Sequence, residues 1–338
     1  MNRRNLLISI AVITLLFCFS AYLFAGGAQE EQKPSVKAKI IKFSHVGTPD
    51  DARHKAALIF KEMVESKTDG AIQVEIFTGG QLGGDRDAIE GLKIGTIQMT
   101  VAGAGIFANF EPKMGITALP FLFENFEDAW AFNDSEINKK VSDLLLEQGI
   151  RVLSYWENGF RCLTNSVRPI QKAEDVKGMK IRTPENPIIL ATMKSLGASP
   201  SPLPWPEVYM ALQQKAFDGQ ENPIPVIYIH KIYEVQKYLA ITNHVYEPMP
   251  LVISESFYKE LTAEQKEIVQ NAAQEAKVYN RDLIKKQTEE MVDKLKDEGM
   301  IITYPDLNSF REAAKSVGND FINNFGEKLI KDAYNFSK

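Results

Sequence analysis

The chain has 338 residues, 25% of them charged, and a formal net charge of −5 drawn from intermixed acids and bases. Such a surface has no concentrated cationic face of the kind a nucleic-acid partner needs, so that class of function is excluded. The length exceeds what one hydrophobic core usually holds, which predicts two domains.

Arg3 and Arg4 precede an almost wholly apolar run, Leu6 to Phe24, and the small residues Ala25-Gly26-Gly27-Ala28 follow before charge resumes at Glu30. That order reads as a cleaved secretory signal peptide over residues 1–28, cut after Ala25 or Ala28. The apolar run nearly reaches the ~20 residues of a spanning helix, but small residues stand where a signal peptidase cuts, which favours cleavage over an anchor. A lipoprotein linked through Cys18 fits poorly, because Phe17 precedes that cysteine and apolar sequence continues beyond it. The mature chain then keeps one cysteine, Cys162, and has no internal disulfide. Residues 29–38 read as a polar tether.

Lys39 to Val46 is a β-rich run, and Asp51 to Lys67 carries Ala56, Ile59, Phe60, Met63 and Val64 at helical spacing. Gly70 follows as a left-handed stop. Ala71 to Phe77 alternates like a half-buried strand, and the glycines at 79, 80, 83 and 84 make a loop before a helix led by Asp85. Further strands are expected at Ile97–Ala102 and Ile150–Trp156, with a helix around Asp128–Glu147 between them. Strand and helix in alternation imply parallel sheets flanked by helices, an α/β fold.

Three loops of the second half share a construction. Lys180-Ile181-Arg182 ends a strand before Asn186-Pro187, Leu203-Pro204-Trp205-Pro206 leads into a helix at Glu207–Gln214, and Ala216 to Glu221 leads to Asn222-Pro223. Proline suits a first helical position because its missing N–H is not needed there. Polar residues at strand ends and helix starts lie where open α/β sheets bind ligands, and helix starts favour anions. From Thr262 to Glu298 a capping box (Thr262, Gln265) opens a long helix with an apolar stripe at Ile268, Ala272, Ala276, Tyr279 and Leu283. Unbroken, it reaches about 50 Å, enough to cross both domains; a kink near Gln287 and Thr288 is the alternative.

An enzyme reading has little support. The four histidines, His45, His54, His230 and His244, do not fall at zinc-ligand spacings, and neither a nucleophile elbow nor a phosphate loop is present. No catalytic residue, metal or cofactor is expected. His45 closes the first strand and could face a cleft, or be a satisfied structural histidine. The binding candidates are more unusual. Arginine offers a carboxylate two parallel charge-assisted hydrogen bonds, and Arg182 stands between a strand and a proline-led helix, with Arg161 in Asn158-Gly159-Phe160-Arg161. Asn222 supplies donor and acceptor, and Trp205 a flat apolar wall.

The stretches Gln81-Leu82-Gly83, Lys177 to Pro184, Glu207 to Gln213, Asp218 to Pro223 and Tyr233 to Leu239 occur in an order that closely resembles the solute-binding subunits of TRAP transporters, the DctP-like family, over nearly the whole mature chain. The resemblance implies a periplasmic-binding-protein-like fold of two α/β domains joined by crossing strands and a long helix, with ligand enclosed between them. The division is expected at 39–158 plus 248–287 for one domain and 159–247 plus 288–338 for the other. It also implies a periplasmic monomer that hands a small carboxylate to TRAP permease subunits. Arg182 is then the carboxylate receptor, assisted by Arg161 and Asn222, with Trp205 packed on the ligand and Asp85 reaching it from the other domain. Sialic acid-binding members carry polar contacts where this chain has Val46, Gly103 and Ile106, and asparagine where it has Glu185, so sialic acid is not expected. Glu185 would accept hydrogen bonds from hydroxyls and repel a second carboxylate, which favours a hexuronate or other sugar acid; Asn186 in its place is the alternative register. A C4-dicarboxylate, with Arg161 serving a second acid, and a sensory binding protein presenting the ligand to a membrane receptor are the other readings, and a secreted hydrolase is the remote one.

Overall fold

The computed structural model describes residues 38–336; the expected signal peptide and all but the last residue of the tether lie outside the described residues. The strands are β1 (Lys39–Ser44), β2 (Ile72–Phe77), β3 (Met99–Val101), β4 (Ile150–Asn165), β5 (Lys180–Thr183), β6 (Ser199–Pro202), β7 (Gly219–Pro223), β8 (Tyr238–Ser254) and β9 (Ile301–Thr303). They form one mixed sheet in the order β2-β1-β3-β8-β4-β7-β5-β6, with β9 beside β8. At one end β2-β1-β3 pair in parallel, and at the other β7-β5-β6 do the same. Between them the two long strands β4 and β8 run antiparallel and belong to both halves.

Helices that bear on the site are α1 (Ala52–Lys67), α2 (Asp85–Ile94), α3 (Ala104–Phe107), α4 (Pro187–Ser195), α5 (Ile224–Ile229) and α6 (Ala263–Asp297). Their starts follow local chemistry. Asp51 caps α1 by accepting from the Arg53 N–H, Asn186 caps α4 by accepting from the Ile188 and Ile189 N–H groups, and Thr262 and Gln265 form the capping box of α6.

The structure corrects several local expectations. The strand expected at 150–156 continues to Asn165, because register shifts at Val152/Ser154, Glu157/Gly159 and Arg161/Leu163 let polar residues and Gly159 (φ 123°) pass through without ending the ladder. Asn222 does not cap a helix: β7 extends through Pro223, and Asn222 Nδ2 donates to Gln220 Oε1 at 2.6 Å. The long helix α6 is hydrogen-bonded as one element without a break at 287–288. Its buried stripe runs through Val269, Ala273, Asn280, Ile284, Met291 and Leu295 as well as Ala272 and Ala276, while Tyr279 is exposed. Tight packing of small alanines against Phe60 and Val64 of α1 sets that rotation.

Two hydrophobic clusters belong each to one end of the sheet. Ile41, Phe43, Phe60, Trp156 and Ile253 pack with the first part of α6, and Cys162, Val208, Ile224, Ile227 and Leu239 pack with Met291 and Leu295 near its end. At the middle of the crossing strands, Asn280 Oδ1 of α6 accepts from the Glu157 backbone N–H at 2.6 Å, and Arg281 Nε donates to the Tyr155 carbonyl at 3.1 Å. The long helix is thereby tied to the point where β4 passes from one half to the other.

Candidate functional site

A cavity lies between the two halves, lined by Arg53, Asp85, Gly103, Ile106, Asn158, Arg161, Arg182, Pro184, Trp205, Asn222, Glu247 and Met249 among others. It is nearly closed, with a volume of about 40 Å³, room for a few water molecules. Its walls come from the carboxyl ends of the parallel strands in each half: Val46 and Gly103 follow β1 and β3, while Arg182 and Asn222 sit near the ends of β5 and β7. Strand ends free backbone and side chains for a ligand while the sheet holds them rigid. The crossing strands supply the rest, Asn158 and Arg161 from β4 and Glu247 and Met249 from β8.

Arg182 is 3% exposed and spends its donors sparingly. Its Nε and Nη2 donate to the Leu203 carbonyl at 2.8 and 2.5 Å, and its guanidinium lies over the Trp205 ring at 5.5 Å. No carboxylate pairs with it among the described residues. Burial and the neighbouring charge of Arg161 push it down to about 10, still cationic at neutral pH.

Arg161 is built differently. Its Nε and Nη2 hold Glu221 in a bidentate pair, the second bond at 2.7 Å, its Nη2 also reaches the Glu221 carbonyl at 2.6 Å, and its Nη1 binds Glu247. Burial opposes its charge, but the two carboxylates outweigh that and hold it well above the usual arginine range. Of five N–H groups it keeps at most one for a ligand.

Two carboxylate oxygens in the cavity lack a donor. Glu247 Oε2 accepts from Arg161 and from Asn158 Nδ2 at 3.1 Å, leaving Oε1 buried without a partner. Asp85, the first residue of α2, has Oδ1 buried and unpartnered. Burial pushes the Asp85 carboxyl up to about 6, with Glu247 adding to the rise and Arg53 opposing it. The folded protein therefore binds this proton more tightly than the unfolded chain. The group costs stability above about pH 6, and the cost vanishes as pH falls to the ordinary value of 3.8. Asp85→Asn is expected to stabilise the ligand-free protein by about 1–3 kcal/mol at neutral pH and by nothing near pH 3.5, as urea unfolding at both pH values will report.

Five sequence candidates, Arg182, Arg161, Asn222, Trp205 and Asp85, meet in this cavity, and two do not. His45 is buried behind it, with Nε2 3.3 Å from His54 Nδ1 and its edge toward Phe43; burial and then Arg53 push it down to about 3, so it is a neutral structural histidine. Glu185 turns outward to Arg86 at 3.6 Å, and its carbonyl accepts from Asn109 Nδ2 at 2.7 Å. Asn186 does not line the cavity either: its Oδ1 caps α4, and its Nδ2, buried without a partner, lies so close on Gly105 that a Cβ there would meet it at 1.7 Å. A helix start points one side chain back along its own axis, and here that residue is the cap.

Arg53, Asn158 and Glu247 also line the cavity and were not among the sequence candidates. Arg53 had a signal, since it follows the cap residue Asp51 just after β1, the same strand-to-helix junction recognised in the second half. Asn158 and Glu247 had none, because their place depends on β4 and β8 running on through their irregular centres.

Comparison with known proteins agrees with this architecture. The model of the DctP family, described as bacterial extracellular solute-binding protein, family 7, matches residues 43–324. The 2,3-diketo-L-gulonate-binding periplasmic protein YiaO of Escherichia coli is 35% identical over 86% of this chain and 89% of its own length. A TRAP periplasmic solute binding protein from Polaromonas, solved bound to D-erythronate, superposes with a TM-score of 0.85 at 35% identity, over 88% of this chain and 98% of that one. The sugar acid binding protein DctPAm from Advenella mimigardefordensis, in complex with galactonate, gives 0.86 at 32% identity, over 89% and 98%.

Proposed function

Because this chain belongs to the DctP family of bacterial extracellular solute-binding proteins, the binding subunits of TRAP transporters, we propose that it is a periplasmic receptor for one polyhydroxylated monocarboxylate. A hexuronate or related sugar acid is captured between the two halves and delivered to the membrane subunits. The observation that carries the substrate class is the pairing of charges around the cavity. Arg182 is the one lining arginine with no carboxylate partner, since Arg161 holds Glu221 and Glu247 and Arg53 holds Asp51. Arg182 alone of the three can turn paired donors to a ligand carboxylate. The lone oxygens of Asp85 and Glu247 ask for donors, which hydroxyl groups supply, and they repel a second acid group.

Capture works by closure. The halves divide at 158/159 in β4 and 247/248 in β8, with α6 passing between them near 287, and ligand contacts made from both sides favour the closed form. The names of similar proteins point the same way, since YiaO is a diketo-gulonate-binding protein and the two solved structures hold an aldonate. Trp205, its ring 5.5 Å from the Arg182 guanidinium, forms an apolar face for the carbon chain.

A thermal-shift series on residues 29–338, unfolded and refolded to strip any bound acid, tests this reading. D-Galacturonate, D-galactonate or D-erythronate is expected to raise Tm through mass action, with succinate and malate weaker. A shift with dicarboxylates alone overturns the substrate class, and no shift with any carboxylate overturns the role of Arg182. Glu185→Ala is expected to change the affinity for the best acid by less than about threefold, because its partly exposed pair with Arg86 contributes little. Titration calorimetry distinguishes this from the large loss that a hydroxyl-reading Glu185 would give.

A further inference from the structure

Trp205 is held from behind. Its indole Nε1–H donates to His230 Nδ1 at 3.3 Å, with the rings edge to face at 5.0 Å between centroids. The other ring nitrogen, His230 Nε2, lies 3.2 Å from Asp51 Oδ2. His230 ends α5 in one half of the molecule, and Asp51 caps α1 in the other. An indole nitrogen only donates, so Nδ1 must offer its lone pair and the proton must sit on Nε2, where it is given to Asp51. The tautomer is thus set by its two partners. Burial works against the Asp51 carboxylate, but Arg53 and the His230 bond hold it well below the usual range, and it stays a firm acceptor.

We propose that His230 is a positioning residue that locks the Trp205 wall of the cavity to the opposite half, so that closure of the mouth and presentation of the indole face are one event. The inference rests on the reading of the cavity as the ligand site. Around this bridge the halves approach with no room to spare. A Cβ on Gly80 would meet Pro206 Cγ at 2.8 Å, and one on Gly84 would meet Pro204 Cβ at 3.4 Å. Trp205 also lines a second, open hollow with Thr48, Asp50, Gly79, Tyr209 and His230, so the indole is the partition between cavity and solvent. A wall that closes only when Asp51 and His230 meet governs escape of ligand more than its entry.

The test uses the strongest binder among D-galacturonate, D-galactonate, D-erythronate and succinate, with association and dissociation followed by stopped-flow tryptophan fluorescence. His230→Phe keeps an aromatic ring, somewhat larger, and removes both hydrogen bonds. It is expected to speed dissociation about fivefold to thirtyfold with association nearly unchanged. His230→Gln, whose amide can accept from the indole and donate to Asp51, is expected to recover most of the slow dissociation, which a purely space-filling role would not produce. Dissociation within twofold of wild type in His230→Phe, or equal rates for the Phe and Gln variants, overturns the inference alone. Failure of the wild-type protein to bind any of the four acids overturns the receptor reading and the inference with it.

Discussion

Replacing Arg182 with alanine is expected to remove measurable capture of the sugar acid while leaving the ligand-free fold close to its original stability. The guanidinium is buried, has no carboxylate beside it, and is pushed down to about 10 by burial and by Arg161. Its removal takes away an uncompensated cation, which offsets the loss of its hydrogen bonds to the Leu203 carbonyl. The ligand carboxylate, in contrast, is left buried without its paired donors. Truncating one partner of such a pair costs about 2–5 kcal/mol, or roughly thirtyfold to several thousandfold in Kd. Lysine at this position restores charge without the parallel donors and is expected to recover only part of the loss. Calorimetry with the refolded variant, alongside urea unfolding, checks both halves of the result. Unchanged affinity would remove Arg182 from the site.

Arg161→Ala is expected to do the reverse, with its main effect on stability. Arg161, Glu221 and Glu247 are 2%, 0% and 3% exposed, and the arginine neutralises both carboxylates. Taking one partner from a buried ion cluster costs about 3–5 kcal/mol, because the charges left behind have no solvent and no counterion. Burial alone would raise Glu221, and the charge and hydrogen bonds of Arg161, with His244 Nε2 3.4 Å away, keep it below the ordinary carboxylate range. That depressed value contributes stability above the unfolded pKa of about 4.5 that is lost as pH falls. Without Arg161 the sign turns over. The deficit is expected to shrink between about pH 8 and pH 5 as the abandoned carboxylates take up protons. Urea unfolding across that range reads it directly, and a variant as stable as wild type at pH 8 would contradict the ion-cluster account.

These two arginines were indistinguishable as sequence. Each follows or lies within a β-rich run near glycine, proline or asparagine, and each has the chemistry to bind a carboxylate. What separates them is their neighbours. Glu221 lies beside Arg161 because β7 pairs with β4, Leu163 opposite Glu221, and Glu247 because β8 pairs with β4, Gly159 opposite Glu247. Those partners are 60 and 86 residues away in the chain. Arg182 ends a strand on the far side of β7 and meets only a carbonyl. Glu185 stands outside the cavity for a related reason. The turn after β5 is only a few residues long, and Asn186 must point inward to cap α4, which leaves its neighbour facing Arg86 at the surface.

Local chemistry alone determined where most elements begin and end. The caps at Asp51, Asn186 and Thr262, the left-handed Gly70 and Gly299, and the alternation of Ile72 and Val74 with polar residues all act within a few residues of themselves. The α/β class, the long helix and the family followed from such signals in order. Tertiary structure decided which polar residue faces the cavity without a carboxylate partner, which is held in the ion cluster and which bridges the halves. Arg53, Asn158, Glu247 and the Trp205–His230–Asp51 bridge depend on β4 and β8 continuing through bulges and on two halves meeting across a cleft. Charge pairing and close packing act through space over a few ångströms, and the distances that set them exist only after the chain has folded.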